Sequence, residues 1–295
     1  MEKSSIVSAL AGFSGSLSYL ILYPLEFVKI NIIVGDGHSK NFVPYYKTSR
    51  EAFTSIYKTR GILQFYKGCH VSLFSSVAWS IYFYIYDLAK HRYSNIQSTY
   101  PNTYKILVAS EAAILSRIMT SPLWTIKTRL ILQQNSKYWY GDTIETISKI
   151  WKLDGLRGYF AGLVPGLFLC SNGILNLYFY ELQKEMFINP SSSMIGLFGM
   201  NSKLLSSLIT YPIQLIMVKL QQEQYSCTIL QRSTHIEKNI QREKFFTGSW
   251  NCIKKTWVME GYKGFYRGLT LQLMRTIPGN GLFFILYENT LKLFQ

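Results

Sequence analysis

Acidic side chains are scarce in this 295-residue chain: 16 Asp and Glu stand against 31 Lys and Arg, and charged residues make up only 16% of it. Soluble domains average about 25% charged, so the shortage argues against a surface that faces water all round. Cysteine is equally sparse. Cys69, Cys170, Cys227 and Cys252 fall without CxxC or CxH spacing, which leaves no zinc site and no disulfide framework and reads as four free thiols. His38, His70, His91 and His235 have no acid or nucleophile at motif spacing. HxxxxD, HExxH, GxSxG and a glycine-rich phosphate loop are all missing, which weighs against a membrane-embedded enzyme, the different-class alternative. The N-terminus lacks a small-residue cleavage site after a short apolar core, so its long, interrupted apolar run is expected to be the first structural helix.

Apolar and aromatic residues are abundant. Hydrophobic residues are 48% of the chain, with 22 Tyr and 18 Phe, a balance that points to a membrane. The net charge of +15 suits an anionic partner. The cations are spread along surface segments of a membrane-type sequence, so no specific nucleic-acid partner is expected.

The chain repeats. YPLEFVKI with Pro24, SPLWTIKTRL with Pro122 and YPIQLIMVKL with Pro212 stand 98 and 90 residues apart. Each is followed by an aromatic-x-Gly turn ending at Gly68, Gly162 or Gly268, and each unit closes with YDLAK, YELQK or YENTL. Three signals in one order, three times, define a threefold repeat of about 100 residues, with boundaries at 1–98, 99–190 and 191–295.

Within each unit a long apolar segment is broken by the proline: 4–33, 104–133 and 194–221. A second apolar segment follows near 70–90, 163–184 and 270–291. At about 1.5 Å per residue the first set exceeds a hydrocarbon core of about 30 Å, and the second set is of minimal spanning length. Between them SREAFTSIYKTRG, DTIETISKIWKLDG and SWNCIKKTWVMEG show helical spacing and stop at Gly61, Gly155 and Gly261. The expected fold is therefore all-α: six transmembrane helices in three repeats with pseudo-threefold symmetry, plus three short helices on one membrane surface.

Charge inside a membrane span is expensive and marks function. Pro24, Pro122 and Pro212 are expected to bend the odd helices toward one axis. Beyond the bends Glu26, Lys29 and Lys127 are placed to form a ring closing one end. Asp87 with Lys90, Glu181 with Lys184, and Glu288 form the matching ring at the other.

The thrice-repeated Pro-x-acid-x-x-base pattern, the aromatic-x-Gly turns and the aromatic-acid-x-x-base endings resemble the mitochondrial carrier family over essentially the whole chain. The resemblance implies a central substrate site, a matrix-side and a cytoplasmic-side gate, and alternating access. It also implies a monomeric carrier in the mitochondrial inner membrane, with a peroxisomal membrane as the alternative. The chain departs from the pattern at the matrix-side ring, where Trp124 and Gln214 replace acids and Met217 replaces a base. The opposite ring loses one base, at Leu291, and is expected to hold more ion-pair energy.

Trp124, SVAWSIYF around Trp79, the stretch 162–184 and MRTIPGNGLFFILYEN resemble the FAD and folate branch. FAD is the first expected cargo, with folate, pyrimidine nucleotide or NAD as alternatives. The family's central contacts, 13 residues before each even-helix acid, map onto Phe74, Phe168 with Leu169, and Arg275. Arg would bind the anion while aromatics stack on a flat ring. Glu111 and Lys203 are the next candidates. No cofactor is implied. Lys67, Gly68, Gly162, Arg267 and Gly268 resemble the family's cardiolipin-binding turns, where helix N-terminal amides receive a lipid phosphate.

Overall fold

The computed structural model describes residues 17–35, 37, 44–74, 77–93, 101–133, 139–187, 192–222, 246 and 248–278. Glu288 and Leu291 lie outside them, as do the side chains of Phe74 and Trp79.

Every regular element among the described residues is helical. The first repeat contributes α1 (Tyr23–Val34), α2 (Ser49–Arg60), α3 (Cys69–Phe74) and α4 (Val77–Arg92). The second contributes α5 (Pro101–Leu132), α6 (Trp139–Tyr159), α7 (Leu163–Phe168) and α8 (Ser171–Glu185), and the third α9 (Ser192–Gln222), α10 (Ser249–Gly264) and helical residues 269–278. Two helical stretches, Leu163–Glu185 and Leu197–Gln222, are long and apolar enough to cross a membrane. Few residues of the first are buried in the protein. Ile174, Leu177 and Tyr178 on it are all exposed, as are Phe83, Tyr84 and Leu88 on α4. Apolar faces of this extent fit lipid better than water.

The prolines act differently in the three repeats. In the first, the helix is interrupted at Leu22, and Pro24 sits within the first turn of α1, where its missing N–H costs nothing. Pro122 and Pro212 stand inside unbroken helices of 32 and 31 residues. There each removes one backbone hydrogen bond from the ladder.

The three surface segments form as their glycines predict. Gly61, Gly155 and Gly261 have φ of +77°, +60° and +64°, a region L-residues avoid, and the helical path breaks at each. The N-terminus of α2 is capped by Thr48, whose hydroxyl accepts from Glu51 N–H.

α1, α5 and α9 pack pairwise against one another, closing a triangle. Their C-terminal halves are the buried ones: Phe27–Val34, Thr125–Gln133 and Leu215–Gln222 are buried almost without interruption, whereas upstream α5 and α9 are half-exposed. The molecule is shut at the end where the three helices finish. The principal core cluster, including Phe27, Ile33, Tyr211 and Leu215, lies there.

Candidate functional site

A single carboxylate organises the closed end. Glu26 Oε1 lies 3.3 Å from Lys127 Nζ, and its Oε2 lies 3.2 Å from Lys29 Nζ and 3.0 Å from Arg275 Nε. Glu26, Lys29 and Lys127 are buried. Lys29 also donates to Gln272 Oε1 at 2.8 Å and Lys127 to the Tyr19 hydroxyl. Lys127 further sits 5.1 Å from the centre of the Trp124 ring. The indole that replaces an acid therefore still faces a cation, through its π-electrons.

Arg275, expected among the central contacts, has its side chain against Glu26 as a third cation. Gln214 is half-buried beside the cluster's helices. Met217, in place of the third base, is met by Arg117, whose Nη2 lies 2.7 Å from the Met217 sulfur. At the opposite end Asp87, Lys90, Glu181 and Lys184 are exposed, and no ion pair joins them among the described residues. Glu288 and Leu291 of this ring lie outside the described residues, and the ion pairs described are those of the closed end. The ends of α1, α5 and α9 are packed together, and the described residues at the other end are exposed.

A second set of contacts fastens the odd helices where they stop. The last carbonyls of a helix lack intrahelical donors and carry the negative end of its dipole. Lys67 Nζ donates to Gln133 O at the end of α5, and Arg267 Nη2 donates to Gly35 O at the end of α1. Each cation of an aromatic-cation-Gly turn thereby caps the odd helix of another repeat. The middle turn, Phe160-Ala161-Gly162, has no cation, and Arg129 Nε supplies the missing cap by donating to Gln221 O at 3.2 Å. Arg129 also pairs with Asp154 at 3.2 Å, as Lys219 pairs with Glu260 in the third repeat. The first repeat has Asn31 and Arg60 at these places, and Asn31 bonds back to Phe27 O.

These facts correct part of the lipid assignment. Lys67 is 2% exposed, so its charge serves a helix end and is not offered to a headgroup. Arg267 is engaged with Gly35 O and Tyr46 O and lies over the Tyr45 ring, at the edge of a cavity of about 620 Å³ bordered also by Lys47, Thr48 and Lys263. The turn glycines have a packing reason of their own. Gly162 has φ +75°, and a Cβ there would sit 2.9 Å from Met217 O; Gly68 and Gly268 likewise abut the Tyr23 and Tyr211 hydroxyls. Those hydroxyls donate to Lys67 O and Arg267 O.

Toward the open side, Lys203 donates to Asn172 Oδ1 at 2.8 Å, and Asn172 Nδ2 donates to Thr210 at 2.7 Å. Asn176, one turn further along α8, has a buried Oδ1 without a hydrogen-bond partner among the described residues. Glu111 pairs with Arg92 at the end of α4, an engagement with protein that its expected cargo role did not include. Phe168 is exposed, while its neighbour Leu169 packs on the main core. The repeat pattern does not mark Asn172 or Arg117, because the equivalent positions of the other repeats hold Ala78 and Gly279, and Tyr19 and Ser207.

Comparison with known proteins agrees with this architecture. The mitochondrial carrier protein family matches residues 2–97, 98–191 and 192–295. The chain is 30% identical to Folate transporter 1, chloroplastic, of Arabidopsis thaliana over 312 residues, covering 99% of this chain and 96% of that one. It is 28% identical to the Mitochondrial nicotinamide adenine dinucleotide transporter 1 of Saccharomyces cerevisiae, covering 97% and 76% of the two chains. With the yeast Mitochondrial FAD carrier protein it shares 23% identity, covering 97% and 96%. A triple family match, helices that close on a buried ion-pair cluster, and apolar outer faces lead to one conclusion. The chain belongs to the mitochondrial carrier family, and is a multi-pass secondary transporter of a small anionic metabolite in the mitochondrial inner membrane, not an enzyme.

Proposed function

We propose that the cargo is a folate, moved by alternating access through a cavity enclosed by six transmembrane helices in three repeats. The observation that carries this reading is the 30% identity to a chloroplast folate transporter across nearly the whole of both chains. It favours folate over FAD, the first expectation, whose carrier in yeast is 23% identical. The site chemistry supports an anion joined to a flat heteroaromatic ring. Cationic Arg275 and Lys203 suit carboxylates, and the amides of Asn172 and Asn176 suit the donor and acceptor edge of a ring. Phe74, Phe168, Leu169 and Trp79 remain proposed ring contacts.

The closed matrix end states what transport must do. Lys29, Lys127 and Arg275 share Glu26, so the cluster holds more positive than negative charge. An anionic cargo entering from the open side would draw Arg275 from Glu26, loosening the contact that holds α1 to residues 269–278. The matrix gate (Glu26, Lys29, Lys127, Gln214) then parts while Asp87, Lys90, Glu181, Lys184 and Glu288 close behind the cargo. Lipid phosphate is proposed at the N-termini that follow Gly68, Gly162 and Gly268.

Uptake of folate, FAD, NAD and UTP into vesicles holding the purified chain tests the reading, with Arg275→Ala and Lys203→Ala as variants. Folate uptake that both variants reduce by at least tenfold supports it. Uptake of FAD or NAD without folate, or variants as active as the parent, overturns it.

A further inference from the structure

Most of the described cations of the odd helices face a carboxylate, and Lys203, which does not, donates to Asn172 Oδ1. Lys29 and Lys127 have Glu26, Arg129 has Asp154 and Lys219 has Glu260. Arg117 differs. Its guanidinium lies between α5, α7 and α9, against the Met217 sulfur and 5.9 Å from the centre of the Trp124 ring. No carboxylate lies within ion-pair distance among the described residues, and Nε is buried without a hydrogen-bond partner. A thioether and a ring face are weak acceptors and cannot neutralise a charge in a low-dielectric setting.

Room has been left for this group. A Cβ on Gly166 would sit 2.8 Å from Arg117 Nε and 2.9 Å from Nη2, so the guanidinium rests on a surface that only glycine leaves open. Arg117 is seven residues, two helical turns, before Trp124, and so shares the stripe of α5 that faces the closed cluster. Trp124 has Lys127 5.1 Å from its ring centre and Arg117 at 5.9 Å. The place where the repeat pattern calls for an acid on α5 paired with a base on α9 therefore holds a tryptophan, a methionine and a free-standing cation.

We propose that Arg117 is an anion-binding residue for the cargo: it receives a carboxylate or phosphate oxygen that supplies the negative charge Trp124 no longer provides. The inference rests on the reading of the cargo as an anionic ring compound. It adds a second anion contact, distinct from Arg275, on the α5–α9 side of the cavity. Asn172 lies six residues beyond Gly166, about two helical turns toward the open end, which leaves the ring end of the same molecule to the Asn172–Lys203 pair. The favoured ligand thus carries anionic oxygens at one end and a flat heteroaromatic ring at the other.

Two ligand series separate this inference from the identity of the cargo. Thermal stabilisation of the purified full chain is titrated with inorganic diphosphate, which has no ring, and separately with folate and its shorter monoanionic parent, pteroate. Wild type, R117Q and R117K are compared. The expected result is a diphosphate midpoint about tenfold or more higher in R117Q, the worth of one charge-assisted hydrogen bond, with partial recovery in R117K. Folate should outperform pteroate in wild type and lose that advantage in R117Q. Equal diphosphate midpoints in wild type and R117Q, no diphosphate response in wild type, or a lowered unliganded Tm with unchanged midpoints would overturn the role of Arg117. A wild type that responds to diphosphate but not to folate would overturn the folate reading and leave the Arg117 site standing.

Discussion

Glu26→Gln is the perturbation that bears hardest on the closed end. Three cations converge on this one carboxylate at 3.0, 3.2 and 3.3 Å, and Lys29 and Lys127 have side chains only 2% exposed. Removing one partner of a buried pair costs about 3–5 kcal/mol, because the charge left behind stays desolvated. Here three charges are left, although Lys29 keeps Gln272 and Lys127 keeps Tyr19, so the lower figure of about 3 kcal/mol is the sensible floor. At about 2 °C per kcal/mol for a chain of this size, the thermal midpoint in detergent should fall by roughly 6 °C or more. Lys29→Met provides the contrast. It removes one of three mutually repelling cations while Glu26 retains the other two, so its cost should stay near 1 kcal/mol, about 2 °C. A Lys29→Met variant destabilised as much as Glu26→Gln would show that independent pairs, not one shared carboxylate, hold this end together.

Other outcomes follow from the same geometry. Gly162→Ala forces a side chain into a positive-φ position with a carbonyl oxygen 2.9 Å away and should cost about 1–3 kcal/mol, whereas Gly61→Ala, which meets nothing within 4 Å, should cost less; thermal unfolding of both variants ranks them. Arg129→Met removes both the Gln221 cap and the Asp154 pair, and adding Ala161→Lys should recover about 1 kcal/mol by placing a cation where Lys67 and Arg267 stand in the other repeats. No recovery in the double variant would refute the capping account. Trp124→Leu removes the ring shared by Lys127 and Arg117 and should lower stability by about 0.5–2 kcal/mol beyond its lost packing, read as coupling in a double-mutant cycle with Lys127→Met.

What could be read from the sequence was what local chemistry enforces. A glycine needed at positive φ, as at Gly61, Gly155 and Gly261, or a proline that rewrites its own turn, leaves its mark in the residue itself. Recurrence then turned three local marks into an architecture. The pairings that join the repeats are different in kind: Glu26 with Arg275, Arg267 with Gly35 O and Lys127 with Glu26 span 100 to 250 residues, and a long flexible side chain can satisfy a distant partner as readily as a near one. Arg275 shows the consequence. Its backbone position is set by spacing, but about 6 Å of side chain lets the charge reach Glu26. Lys67 shows the same in reverse, since an aromatic-Lys-Gly turn specifies where the chain bends but not that the ammonium turns inward to a helix end. The substitutions that break the repeat were the most informative residues and the hardest to interpret alone. Ala161 is answered by Arg129 at Gln221 O, and Trp124 with Met217 by Arg117 against both. A lost charge in one repeat is answered by a new contact from outside the motif, and such answers are where this carrier's selectivity can depart from that of its relatives.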